Sequence, residues 1–258
     1  IDANTGELLW KDKADDHTWA IITASPALYD DVVYVALSSF EELAGGSDQY
    51  ECCTFRGSVI AYESVTGKRL WKSSTVQEPM VKTRKLANGT QLWGPSGVAV
   101  WSQPTIDPKG GVLYVTTGDS YSVPASATSD AIVAMDLKSG EIKWHVQTFK
   151  DDAFTTACVV PNADPVQQEG CGPDVDYGSS AILRTLTDGR RILIAGQKSG
   201  MMYALDPDSN GKILWQKRLS PGGVLGGIEW GFAADEKRVY VPISDVWEAS
   251  SAPGHAGG

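Results

Sequence analysis

The chain has 258 residues, 42% of them hydrophobic and 21% charged, a balance that builds a buried core and excludes an intrinsically disordered polymer. Its formal net charge of -10, with no run rich in Lys or Arg, excludes a protein that grips a nucleic-acid backbone or an anionic membrane through a basic patch. No apolar stretch reaches the roughly 20 residues of a membrane-spanning helix, so no membrane span is expected.

In chain order, the first element is IDANTGELLW (residues 1–10), a polar turn between short strands that closes on Trp10. The chain therefore opens in mid-motif, with no basic-then-apolar leader, and reads as a piece of a longer one. Residues 25–37, SPALYDDVVYVAL, follow as a hairpin of apolar and aromatic residues around Asp30-Asp31. The same pair of elements then repeats. AYESVTGKRLW ends at Trp71, and the hairpin of residues 103–118 leads to AMDLKSGEIKW at Trp144. The hairpin of residues 180–196 leads to ALDPDSNGKILW at Trp215, and a last hairpin spans residues 231–244 before the small, polar tail EASSAPGHAGG.

The tryptophans recur roughly 60–75 residues apart, longer than a two-helix repeat and suited to a four-stranded blade with its loops. In each motif Thr-Gly, Ser-Gly or Asn-Gly supplies the backbone freedom for a tight reversal, and the Trp offers a flat apolar face to a neighbouring element. A hairpin plus the following Trp motif makes one four-stranded antiparallel sheet. Helical periodicity is absent, and a β-sandwich would need these regular turns by accident. The pattern predicts an all-β fold, a β-propeller amounting to about half of an eight-bladed ring. Residues 1–258 are read as a single partial propeller domain, with blades ending near Trp10, Trp71, Trp144 and Trp215. A half ring leaves two sheet faces uncovered, so the isolated piece is expected to behave poorly.

Four cysteines are present, the adjacent Cys52-Cys53 and the pair Cys158 and Cys171 bracketing a polar loop. Four reduced thiols are the plain alternative, but the even count and the bracketing favour an oxidising compartment. The spacing offers neither a zinc site nor a haem attachment motif. His17, His145 and His255 stand far apart in unlike contexts and suggest no catalytic set. With no nucleophile elbow, P-loop or dinucleotide-binding glycine motif, hydrolase, nucleotide-triphosphatase and NAD-enzyme readings have no support.

The Trp motifs, together with SSFEE, CCTFRGSVIAY, WSQPTID, TTGDSYSVPASATSDA, DYGSS and GGIEWGFAAD, resemble the quinoprotein alcohol dehydrogenases, eight-bladed propellers that carry pyrroloquinoline quinone (PQQ). The closest resemblance is to their polyvinyl alcohol dehydrogenase branch, and it covers essentially the whole chain. Non-catalytic scaffold propellers of the bacterial outer-membrane assembly machinery share the blade signature, so the chemistry has to rest on individual residues.

The resemblance implies calcium ligands at Glu42, with Glu41 as its rival, at Asp119 where relatives commonly have Asn, and at Asp176. Oxygen ligands suit such a hard cation. Asp176 also matches the catalytic aspartate of the family, with Asp174 as an alternative base. Gly178 stands where lanthanide-using relatives have a further aspartate, which favours calcium here. Trp101 matches the tryptophan that stacks under the quinone, and Lys198 the cation beside its oxygens. Thr23, Trp230, Arg56 and the vicinal Cys52-Cys53 are further cofactor contacts in this reading. Glu229 replaces a more usual Asn, and the cysteine loop follows a different strand than in methanol dehydrogenases. Each residue also has a plain structural alternative: a solvated loop acid, a core tryptophan, an Asp-Gly turn or a surface lysine.

The implied activity is oxidation of an alcohol, such as a polymeric secondary alcohol, by hydride transfer to PQQ with calcium assistance. Asp176 takes the hydroxyl proton, and electrons leave to a c-type cytochrome in the bacterial periplasm or outside the cell. The alternatives are a sugar or aldose dehydrogenase with the same cofactor, and a non-catalytic envelope scaffold that binds proteins.

Overall fold

Strands that read as almost continuous apolar runs are buried on both faces, and this is how the repeat is built in the computed structural model, which describes residues 1–244. The first complete sheet comprises β2 (Ala27–Tyr29), β3 (Val32–Ser39), β4 (Ser58–Glu63) and β5 (Arg69–Ser74), with the short β1 (Ala20–Ile21) pairing the far end of β3. After the hairpin β6 (Val81–Lys85) and β7 (Gln91–Gly94), a second sheet forms from β8 (Thr105–Asp107), β9 (Val112–Thr116), β10 (Ala131–Asp136) and β11 (Ile142–Gln147). The third comprises β12 (Ile182–Thr185), β13 (Arg191–Gly196), β14 (Met201–Asp206) and β15 (Lys212–Arg218); β16 (Ala233–Ala234) and β17 (Val239–Tyr240) begin a fourth. All strand pairs within these sheets are antiparallel.

Side chains alternate between the two faces of each strand, and the alternation sorts the core. On β10, Val133 and Met135 pack with Tyr34, Val59 and Ala61 of the first sheet. Ile132 and Ala134 face the other way, onto Leu193, Tyr203 and Leu205 of the third. Ile192 and Ile194 of β13 in turn meet Ile228 and Phe232 at the start of the fourth. The sheets are thus stacked blades of a propeller, each sharing a core with the next.

The Trp motifs lock neighbouring blades together. Trp10, Trp71 and Trp144 lie against Gly67, Gly140 and Gly211, the turn glycines of the following motif, where a Cβ would come within 2.5 Å of the indole in each case. These glycines also have φ of 71°, 74° and 73°, so the residue serves the reversal and the docking together. The indole Nε1 of Trp10 donates to the Ser64 carbonyl (2.8 Å) and that of Trp71 to the Leu137 carbonyl (3.2 Å).

Three expectations change in detail. Residues 1–10 form a turn but no strand, although Trp10 still docks. The β6–β7 hairpin lies between the Trp71 motif and the next hairpin, where no element was expected. The tail EASSAPGHAGG lies outside the described residues.

Candidate functional site

The repeat itself places the site. In each complete sheet the second strand, β3, β9 or β13, runs out into a loop, and Glu42, Asp119 and Lys198 follow those strands within three residues. The segments entering the sheets bring Thr23, Trp101 and the Asp174–Asp176 loop to the same end. These residues line one cavity of about 440 Å³, within the range of small-molecule sites.

Four acids, Glu42, Asp119, Asp174 and Asp176, and one lysine stand in an otherwise largely apolar wall. One carboxylate oxygen each of Asp119, Asp174 and Asp176 lies within 4.8 Å of the others, and all three residues are buried. Asp119 donates its backbone N–H to Asp176 Oδ1 (2.5 Å) and accepts from the Phe154 N–H at Oδ2 (2.9 Å). Asp152, buried behind them, accepts the N–H groups of Asp174 (3.1 Å) and Val175 (2.9 Å) and so fixes the loop. The buried Lys198 ammonium bridges Asp174 Oδ1 (2.6 Å) and Asp176 Oδ2 (3.4 Å), 5.8 Å from the centre of the Trp101 ring.

One ammonium does not neutralise this many carboxylates, and proton affinities rise accordingly. Burial, then the charge of Asp176, pushes Asp174 up to about 8 and Glu42 up to about 7. Burial together with Asp176 and Glu42 raises Asp119 well above the usual carboxylate range. For Lys198, burial disfavours the charge, but Asp176 and Asp174 outweigh it and hold the amine protonated.

Glu41 and Glu42 differ in their hydrogen bonds and in their place relative to the cavity. Glu41 is fully buried and engaged: Oε1 accepts from Tyr50 OH (2.8 Å) and Thr54 N–H (2.8 Å), and Oε2 from Phe55 N–H (2.7 Å). It anchors the loop, and its neighbour Glu42 lines the cavity.

Trp101 presents its ring to the cavity. Behind it, a Cβ on Gly178 would meet Trp101 Cη2 at 2.4 Å and the Glu229 carbonyl at 2.6 Å, so no aspartate fits there without displacing the indole. Thr23 donates to the Trp101 carbonyl (3.3 Å). Trp230 stands edge-on to Trp101 with ring centroids 6.4 Å apart, its own side chain 76% exposed.

Cys52, Cys53 and Arg56 are not among the cavity-lining residues. The cysteines are joined to each other, and they pack in the core beside Leu37, Phe55 and Tyr121. Tyr121 and Phe154 line both the cavity and the cleft that Cys52 faces, leaving a layer of side chains between. Arg56 turns away to donate to the carbonyls of Glu78 (2.7 Å) and Pro95 (3.4 Å). The anchoring of their loop through Glu41 explains the placement. Cys158 and Cys171 form the second disulfide.

Sequence reasoning gave Asp174 only as a substitute base and missed Asp130, which is fully buried with neither carboxylate oxygen hydrogen-bonded. An Asp directly before the apolar run of residues 131–135 was the available signal.

An arrangement of carboxylate oxygens, one fixed ammonium and a flat indole can hold a hard cation beside a planar anionic ligand. Residues 1–216 match the PQQ glucose/ethanol/alcohol dehydrogenase β-propeller domain family. The chain is 45% identical over 246 residues to a polyvinylalcohol dehydrogenase of Pseudomonas sp, covering 95% of this chain and 38% of that protein. It is 38% identical over 258 residues to a polyvinylalcohol dehydrogenase of Sphingopyxis sp. (strain 113P3), covering 100% of this chain and 39% of that one. The chain thus spans about two-fifths of the length of these relatives. Among solved structures, a quinohemoprotein alcohol dehydrogenase from Pseudomonas putida HK5 has the same fold, with a TM-score of 0.58 at 22% identity over 86% of this chain and 31% of that one. Blades, Trp docks and sequence similarity lead to one conclusion: the chain belongs to the PQQ-type glucose/ethanol/alcohol dehydrogenase β-propeller family.

Proposed function

We propose that the whole protein is an alcohol dehydrogenase that binds PQQ and a hard divalent cation, calcium, in this cavity. The observation that carries the reading is convergence: Trp101, Lys198, Glu42, Asp119 and Asp176 come from different loops of three blades and meet in one cavity. A scaffold propeller has no need of such an acidic, buried cluster. The donor set fits, since oxygens of Asp119, Asp174 and Asp176 lie within 4.8 Å of one another, as ligands of one hard cation do, and Trp101 offers a flat apolar face to a planar ring.

When bound, PQQ supplies the hydride acceptor and the cation polarises it. The chain's own residues do the rest. Asp176, whose Oδ1 accepts from the Asp119 N–H and whose Oδ2 faces the Lys198 ammonium, is the carboxylate that takes the substrate hydroxyl proton. Lys198 keeps a fixed positive charge at the place where negative charge develops. The buried wall of Phe154 and Tyr121 keeps water from that side of the cavity.

At the mouth, Phe40, Leu43 and Val159 are 50%, 56% and 63% exposed. This apolar rim, with the two relatives named for polyvinyl alcohol, supports a secondary alcohol on a hydrocarbon chain as substrate. A c-type cytochrome is the proposed electron acceptor, since one relative is named lupanine 17-hydroxylase [cytochrome c]. Both cysteine pairs are joined, which supports a periplasmic or secreted location. No helix among the described residues is long and apolar enough to cross a membrane.

The test is Asp176→Asn in the full-length protein. Turnover of a secondary alcohol is expected to vanish while the absorbance of bound PQQ persists; normal turnover would remove Asp176 from its role.

A further inference from the structure

The cavity holds one carboxylate more than the family pattern assigns. We infer that Asp174 is a direct ligand of the cation in this site, and that Lys198 leaves it for Glu229 when the cation enters. This rests on the reading of the cavity as a cation site.

Geometry carries the first part. A hard cation holds its oxygens at about 2.3–2.6 Å, so two ligands on opposite sides of one ion are roughly 5 Å apart. The oxygens of Asp119, Asp174 and Asp176 all lie within 4.8 Å of one another, and Asp174 satisfies this limit as well as the other two. It lines the same cavity as Glu42. Its position does not depend on Lys198, because Asp152 accepts both its N–H and that of Val175.

Charge carries the second part. The Lys198 ammonium already bridges Asp174 and Asp176, where it gives the pair the positive charge that an inorganic cation would supply. A cation bound by both carboxylates repels that ammonium and competes for the same oxygens. The ammonium then needs another buried acceptor, and the structure provides one. Glu229 is only 3% exposed, and its Oε2 has no hydrogen-bond partner. An unpaired buried carboxylate oxygen is costly unless a cation reaches it in some state of the protein. The backbone places Glu229 next to Lys198, since the Ile228 N–H donates to the Gln197 carbonyl (3.1 Å), and the Glu229 carbonyl and Trp101 meet at Gly178, with the Lys198 ammonium 5.8 Å from the Trp101 ring.

The arrangement is therefore an exchange. Asp174 passes from ammonium to metal, and Lys198 moves from Asp174 to Glu229 while its charge stays beside the cavity.

The experiment uses full-length protein freed of bound cations, with Tb³⁺ as the probe. Emission sensitised by tryptophan reports binding, competition with Ca²⁺ ties it to the calcium site, and decay rates in H₂O and D₂O count the waters left on the ion. In Asp174→Asn, Tb³⁺ is expected to bind at least ~10-fold more weakly, as losses even of indirect metal partners do, and to carry at least one additional water. Unchanged affinity and water count would overturn the assignment. Glu229→Gln is expected to weaken binding with the water count unchanged; unchanged affinity there would overturn the exchange. If the wild type gives no calcium-displaceable emission, the cation-site reading itself fails, and this inference with it.

Discussion

Replacing Asp119 by Asn separates binding from stability, because it removes a charge and keeps most of the geometry. The amide oxygen still accepts from the Phe154 N–H, and the backbone donor to Asp176 is untouched. Two unit charges 4.8 Å apart, the limiting separation in this cluster, repel by roughly 3 kcal/mol at an effective dielectric constant of 20. Asp119 faces two such neighbours, and loss of its attraction to Lys198 offsets about one of them. Proton uptake relieves part of the remainder, so the cation-free protein should gain about 1–3 kcal/mol. The gain depends on pH. A buried carboxyl with raised proton affinity contributes stability that is fully present below its unfolded value and is lost as pH rises through its folded value. For Glu42 and Asp174, whose folded values are about 7 and about 8, the loss runs from about pH 4 to pH 8. Thermal melts of cation-free wild type should therefore fall over that window. The advantage of Asp119→Asn should be larger at pH 8 than at pH 5, and calcium should bind the variant more weakly. A variant less stable than wild type at pH 8 without cations would refute this electrostatic account.

Two further outcomes follow from the packing. Gly140→Ala forces a Cβ to within 2.5 Å of Trp71 at a φ of 74°; a loss of about 1–3 kcal/mol is expected, read as a lower denaturation midpoint of the full-length protein. Gly178→Asp supplies the carboxylate that lanthanide-using relatives have at this position, but it must push Trp101 aside. Quenching of tryptophan fluorescence by added PQQ should diminish, with no gain in cation affinity; tighter cation binding with quenching intact would contradict the packing at Trp101.

The blades were legible because their signal is covalent and repeated: strands apolar on both faces, a Gly turn and a Trp at each closure. The dual use of Gly67, Gly140 and Gly211 was not, since the turn requirement alone explains a glycine and the docked indole comes from the previous blade. The β6–β7 hairpin escaped because its strands, VKTRK and QLWG, are short and mostly polar. Within the site, Trp101, Lys198, Asp119 and Asp176 were singled out through motif resemblance, and they line one cavity. Glu41 and Glu42 could not be separated by sequence, because adjacent acids differ only in which one the loop's N–H groups capture. Arg56, Cys52 and Cys53 carried the right chemistry in the right order, yet the loop anchored by Glu41 holds them one layer away. Asp174 and Glu229 acquire meaning only through their three-dimensional relation to Lys198.

The most direct test of the central claim is a thermal melt of the full-length protein with and without PQQ plus calcium, repeated with magnesium in place of calcium. A ligand of the native state must raise its stability. The cavity described here requires a rise of several degrees that depends on both PQQ and calcium; an unchanged melting temperature would contradict the cofactor site and favour a propeller that serves as a scaffold.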